Sequence, residues 1–173
     1  MFLETKRLII RDLKTEDGKP FAQMAADGSL NDVGFDRDCG KWITKWIAEA
    51  REFASRDHPE MDDLAYTVVL KDENKVAGSI GCSYYEDLHE VGITYFIGAQ
   101  YRNNGYALEA AKAYIAFFFS HYNINKMIAT VRDENIGSWK VAEKAGFQFI
   151  KKRMYRDVND KKEVLYRFYE ITR

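Results

Sequence analysis

Tyr95-Phe96-Ile97-Gly98-Ala99-Gln100-Tyr101-Arg102-Asn103-Asn104-Gly105-Tyr106-Ala107-Leu108-Glu109-Ala110 reads as a strand, a polar loop and the first turn of a helix. Asn103, Asn104 and Gly105 all accept positive φ, the asparagines at small cost and Gly105 at almost none. Such a loop aims consecutive backbone N–H groups into one cavity. The helix behind it adds unpaired N–H groups and a partial positive charge. The combination predicts an anion site of the kind that holds a pyrophosphate. A plain capped turn is the competing reading. Neither a Gly-Lys-Ser/Thr phosphate loop nor a full G-x-G-x-x-G is present.

Outward from this stretch, the pattern predicts a first strand at Leu8 to Leu13. A helix follows from Thr15 to about Ala26, with acids in its first turn and Gly28 ending it. Gly28 to Gly40 reads as loop. In Lys41 to Arg56 the residues Trp42, Ile43, Trp46, Ile47, Ala50 and Phe53 recur at helical spacing, so the tryptophans read as core. Ala65–Leu70 and Val76–Tyr85 form a hairpin around Asp72-Glu73-Asn74, and Val91–Ile97 is the next strand. Gly105–Tyr122 is a helix, Lys126–Val131 a strand, and Asn135–Ala145 a helix with an Asn cap and Gly146 as its stop. Phe147–Tyr155 and Val164–Ile171 close the chain as strands around Asn159-Asp160. Early meanders followed by helical crossovers predict one α/β (α+β) domain over residues 1–173. Its mixed central sheet would have about six or seven strands, with helices on both faces.

The chain has 173 residues, 46% of them apolar, which suits a single core. A net charge of −1 gives no reason to expect nucleic acid or an anionic membrane as partner. Its most apolar run, Ala113–Ser120, is too short to span a bilayer, and the N-terminus lacks a secretory pattern. Cys39 and Cys82 imply no disulfide framework, which fits a reducing cytoplasm. With His58, His89 and His121 they make no metal-ligand spacing, so no metal is expected. Asp27, Asp32, Asp36 and Asp38 against the single base Arg37 read either as a solvated loop or as a wall that attracts a cationic amine.

Arg102-x-x-Gly105-x-Ala107 resembles the pyrophosphate signature of the GNAT superfamily of N-acetyltransferases. Glu109-Ala110, the run Asn135-x-x-Ser138-x-x-Val141-x-x-Lys144-Ala145-Gly146-Phe147 and the opening Glu4-Thr5-Lys6-Arg7-Leu8-Ile9-Ile10-Arg11 are similar to its ribosomal-protein N-terminal (alanine/serine) acetyltransferase branch. The resemblance implies the acyl-CoA N-acyltransferase fold, with the sheet splayed into a V between the strands at Val91–Ile97 and Lys126–Val131. Acetyl-coenzyme A would lie in that gap as acetyl donor. Arg102, Asn103, Asn104, Gly105, Tyr106 and Ala107 would hold its pyrophosphate, and Phe96 and Ile97 would bond its pantetheine through their backbone. Asn135 would meet the cofactor nearby. The amine acceptor would be a protein N-terminus or a small molecule such as a polyamine or an aminoglycoside, and a homodimer is implied by analogy.

Two departures from the family pattern matter. Ala142 stands where many members carry a tyrosine that protonates the leaving thiolate, and the branch pattern moves that role to Ser138. Gly92 stands where a glutamate base is frequent. Glu90, two residues earlier on the same strand face, is the candidate base, against a reading as a solvated strand-end acid, with Glu86 and Asp87 as weaker candidates. These departures keep open a non-catalytic domain that binds the same cofactor.

Overall fold

The computed structural model describes residues 1–173. Its strands are β1 (Phe2–Glu4), β2 (Leu8–Asp12), β3 (Leu64–Leu70), β4 (Lys75–Tyr85), β5 (Glu90–Ile97), β6 (Lys126–Arg132), β7 (Gln148–Tyr155) and β8 (Val164–Thr172). The helices are α1 (Gly18–Ala25), α2 (Ile43–Arg56), α3 (Tyr106–His121) and α4 (Ile136–Ala145). One sheet runs in the order β1-β2-β3-β4-β5-β6-β8-β7. It has eight strands rather than six or seven. The additional one, β1, has three residues and folds back on β2, with Phe2 opposite Arg11 and Glu4 opposite Ile9. A strand that short has too little alternation to stand out in a sequence.

Every pairing is antiparallel except β5 with β6, which is parallel and joined at one register pair, Gly92 with Ile128. Beyond that pair the two strands part, and the sheet opens into a V toward their C-terminal ends. The expected splay is therefore present, between the expected strands.

Helices cover both faces. On one, Ile43, Ile47 and Ala50 of α2 pack with Phe21, Met24 and Ala25 of α1 against Phe96. On the other, Ala110, Ala111, Tyr114, Ile115 and Phe118 of α3 join Ala142 of α4 and the inner residues of the central strands. The helix begun at Thr15 is a 3-10 turn up to Asp17, and α1 proper starts at Gly18. The Asp17 carboxylate is buried; it takes two bonds from Arg11 and one each from the Lys14 N–H and the Thr67 hydroxyl. The edge strand β7 is exposed along most of its length, and Lys151, Lys152 and Arg153 guard it against pairing with another chain.

Candidate active site

The polar loop takes the expected shape. Asn103 has φ 63° and Gly105 has φ 79°, both left-handed, whereas Asn104 stays at negative φ. The Asn104 side-chain amide instead donates to the carbonyls of Tyr101 and Arg102 and closes the turn. None of the backbone N–H groups from Asn103 to Leu108 has a partner within the chain. Six open donors thus converge on the N-terminus of α3, where the helix dipole also favours an anion.

The chain's opening segment braces this terminus. The Glu109 carboxylate accepts from the Thr5 hydroxyl at 2.7 Å, the Arg7 N–H at 2.8 Å and Arg7 Nε at 2.7 Å. Arg7 also donates to the Asn104 carbonyl and lies 4.7 Å over the Tyr106 ring. The Arg102 guanidinium does not point away to meet a phosphate. Its Nε donates to the Ile97 carbonyl at 3.0 Å and its Nη2 to the Ser29 carbonyl at 3.1 Å. Arg102 therefore ties the loop to the end of β5.

The ladder between β4 and β5 decides which backbone groups face the V. Gly98 N–H donates to the Ala77 carbonyl, so this opposed pair is a bonded one. Bonded and non-bonded pairs alternate along an antiparallel ladder, so Phe96 opposite Ser79 is bonded, and Ile97 opposite Gly78 is not. The Phe96 N–H and C=O are consequently spent on β4. This corrects the expectation that Phe96 bonds the pantetheine through its backbone. The groups turned toward the V beyond Gly92 belong to Ile93, Tyr95 and Ile97. The Phe96 side chain instead packs in the α1–α2 core, 4.9 Å from the Phe35 ring.

Asn135 caps α4, its Oδ1 accepting the Ser138 N–H at 3.1 Å. Ser138 meets a residue that the sequence reading passed over. The Tyr95 hydroxyl lies 2.9 Å from the Ser138 carbonyl and 3.1 Å from Ser138 Oγ. Burial pushes the Tyr95 phenol up to about 12, against the Ser138 hydrogen bond. Asn135, Ser138 and Tyr95 all line a cleft of about 1020 Å³ that fills the V and runs on between the β7–β8 loop and the segments before α2 and β3.

Gly92 has no side chain because Tyr85 occupies the space. A Cβ there would come within 2.5 Å of the Tyr85 ring. The Tyr85 hydroxyl accepts from the Thr130 hydroxyl across the V. Burial raises its phenol pKa, so the hydroxyl stays neutral. Glu90 is not brought into the cleft lining. It forms an ion pair with Lys126 at the closed end of the V.

The cleft offers a different carboxylate. Asp157, between β7 and β8, lines it and is held above the usual carboxylate range, first by burial and then by the nearby charges of Asp160 and Asp87. Asp160 organises that loop. It takes the Tyr166 hydroxyl at 2.8 Å, the Asp157 N–H at 3.0 Å and the Arg132 guanidinium, which also binds Asp32. Asp63, Glu86, Asp87 and Asp157 face the cleft without an ion-pair partner, beside the rings of Phe35, Trp42, Trp46, Tyr84 and Tyr155. Trp42 and Trp46 are thus both core and wall: each packs on Phe35 and each borders the cleft. Of the loop acids, Asp27 and Asp36 cap turns and Asp38 pairs with Lys41; Asp32 alone reaches the cleft. No group of His, Cys, Asp and Glu could hold a metal ion, and burial pushes the Cys82 thiol up to about 12, away from reactivity.

Known proteins share this fold. The Acetyltransferase (GNAT) domain pattern matches residues 7–148. The chain is 29% identical over 151 residues to a Bacillus subtilis protein named uncharacterized N-acetyltransferase YnaD, spanning 86% of this chain and 83% of that one. It superposes on a GNAT-family acetyltransferase from Bacillus anthracis with a TM-score of 0.81 at 22% identity, over 99% of this chain and 98% of the other. RimL, a ribosomal alpha-N-protein acetyltransferase in complex with coenzyme A, gives 0.82 at 13% identity over 99% and 98%. No helix is long and apolar enough to cross a membrane.

Proposed function

The chain belongs to the GNAT acetyltransferase family, and from that premise we propose that it moves the acetyl group of acetyl-coenzyme A to a primary amine by direct attack. One observation carries the donor assignment. The six open N–H groups from Asn103 to Leu108 stand beside the backbone N–H groups that Tyr95 and Ile97 turn away from β4, at the mouth of a splayed sheet. That arrangement fits a pyrophosphate joined to an amide-bearing arm.

When bound, acetyl-coenzyme A supplies the acetyl group as a thioester. The Tyr95 or Ile97 N–H would polarise the thioester carbonyl, and losing such a donor typically costs roughly 2.7–4 kcal/mol. Ser138 would donate to the departing sulfur. Asp157 would take the proton of the attacking amine, directly or through water. Its pKa is raised in the direction a general base needs, and it lines the same cleft as Ser138 and Tyr95. Neither cysteine is needed.

The acceptor enters a cleft with aromatic walls and unpaired acids, which favours an amine that is cationic in solution. A protein N-terminus is the first reading, from the likeness to RimL and to the ribosomal-protein branch. A small polycationic amine is the second. It is favoured by an acidic side pocket of about 420 Å³, bordered by Glu60, Asp63 and Glu86, that shares Asp63, Tyr84 and Glu86 with the main cleft. Thiol release from acetyl-coenzyme A, followed over a panel of N-terminal peptides and of small amines, tests both. Turnover with peptides alone supports the first reading and turnover with polyamines alone the second. No turnover with either, despite cofactor binding, would overturn the catalytic reading.

A further inference from the structure

The α4 helix carries alanine at 142, where many members of the family carry a tyrosine, yet a phenol meets the same helix one turn earlier, at Ser138. It comes from the sheet. Tyr95 projects from β5 toward α4, and its hydroxyl contacts both the carbonyl and the Oγ of Ser138. Ser138 is thereby held at three atoms: its N–H by Asn135 Oδ1, and its C=O and Oγ by Tyr95. We propose that Tyr95 is the positioning residue for the leaving group, aiming the Ser138 hydroxyl at the sulfur and supplying from β5 the phenol that α4 lacks. This rests on the acetyl-transfer reading.

The hydrogen count makes the pairing work. Tyr95 has one proton and two acceptors within reach. When it donates to the Ser138 carbonyl, Ser138 Oγ–H points back at the phenol. When it donates to Ser138 Oγ, the serine proton is free to face the cleft. In the transfer, the C–N bond forms as the C–S bond breaks and the electron pair goes to sulfur. Sulfur takes the Ser138 proton, Ser138 Oγ takes that of Tyr95, and Tyr95 regains one from cleft water. Of the two protons the ammonium gives up, one balances the thiol and the other leaves to solvent.

Tyr95→Phe keeps the ring and removes only the hydroxyl. Ser138→Ala removes its partner. The readout is binding: the affinity of coenzyme A divided by that of desulfo-coenzyme A, by calorimetry across the pH range in which the thiol ionises. The ratio cancels any general loss of folding. In the unaltered protein the ratio should rise with pH, because a hydrogen bond to a charged group favours the thiolate. Each variant should lose that rise, by about ten- to a hundredfold. The double variant should lose no more than the worse single one, since the two hydroxyls act as one unit. A normal rise in Tyr95→Phe with a lost rise in Ser138→Ala would overturn the inference and leave the acetyl-transfer reading standing. A double variant whose losses simply add would overturn it as well. Failure of the unaltered protein to bind either ligand would remove the underlying reading and the inference with it.

Discussion

Replacing Asp157 by Asn probes the proton acceptor and the acceptor amine together. At about pH 7.4 a lysine-type amine, with a pKa of about 10.4, is neutral in roughly one molecule per thousand, a deficit near 4 kcal/mol. An α-amino group, with a pKa of about 8, is neutral in roughly one molecule per four, a deficit under about 1 kcal/mol. If Asp157 takes that proton, the variant must draw on amine already neutral in solution. Its kcat/KM should then fall up to roughly a thousandfold for an alkyl amine, but only several-fold for a peptide N-terminus, by the same arithmetic. The loss should shrink as pH rises and the solution supplies the free base.

Stability should move the other way. Burial, with Asp160 and Asp87 close by, holds the folded-state pKa of Asp157 above its unfolded value. Its charge therefore costs stability at neutral pH, and the cost fades as pH falls through the raised pKa. Asp157→Asn should raise the thermal midpoint near neutrality and bring no gain in acid. Thiol-release rates across pH, beside thermal melts at neutral and acid pH, are the assays. A loss of rate equal at every pH, or a lowered neutral midpoint, would refute the assignment.

Asn135→Ala removes the cap of α4 and one of the holds on Ser138. It should cost about 1 kcal/mol, seen as a fall of roughly 2–4 °C in thermal midpoint for a chain of this size. Arg102→Lys keeps the charge but cannot reach both Ile97 and Ser29. Acetyl-coenzyme A affinity should drop about two- to tenfold, corresponding to ~0.5–1.5 kcal/mol for one lost hydrogen bond. Full affinity in that variant would assign the role of Arg102 to its charge.

The polar loop and the two helix termini were legible in sequence because their signals are local. Left-handed positions select Asn and Gly, and a cap selects Asn, whatever lies elsewhere in the chain. The roles of Phe96 and Glu90 were not legible. The direction in which Phe96 turns its N–H depends on the register between β4 and β5, which no spacing in the sequence records. Glu90 does share a strand face with Gly92, as alternation required, but its partner Lys126 arrives from a strand far along the chain. Tyr85 filling the place of a Gly92 side chain, and Tyr95 meeting Ser138, are likewise encounters between distant segments. Asp157 sat in a turn that alternation describes only as a turn. Its flanking tyrosines at 155 and 166 were the one available hint of an enclosed loop.

The central claim is that the V and the loop before α3 hold acetyl-coenzyme A, and calorimetric titration of the unaltered protein and of Gly105→Val tests it most directly. Valine at φ 79° meets a backbone conformation that costs a β-carbon at least about 1–2 kcal/mol, so the N–H cradle cannot keep its shape. Micromolar-range binding by the unaltered protein that the substitution abolishes is the predicted result. No binding by the unaltered protein, or equal binding by both, would contradict it.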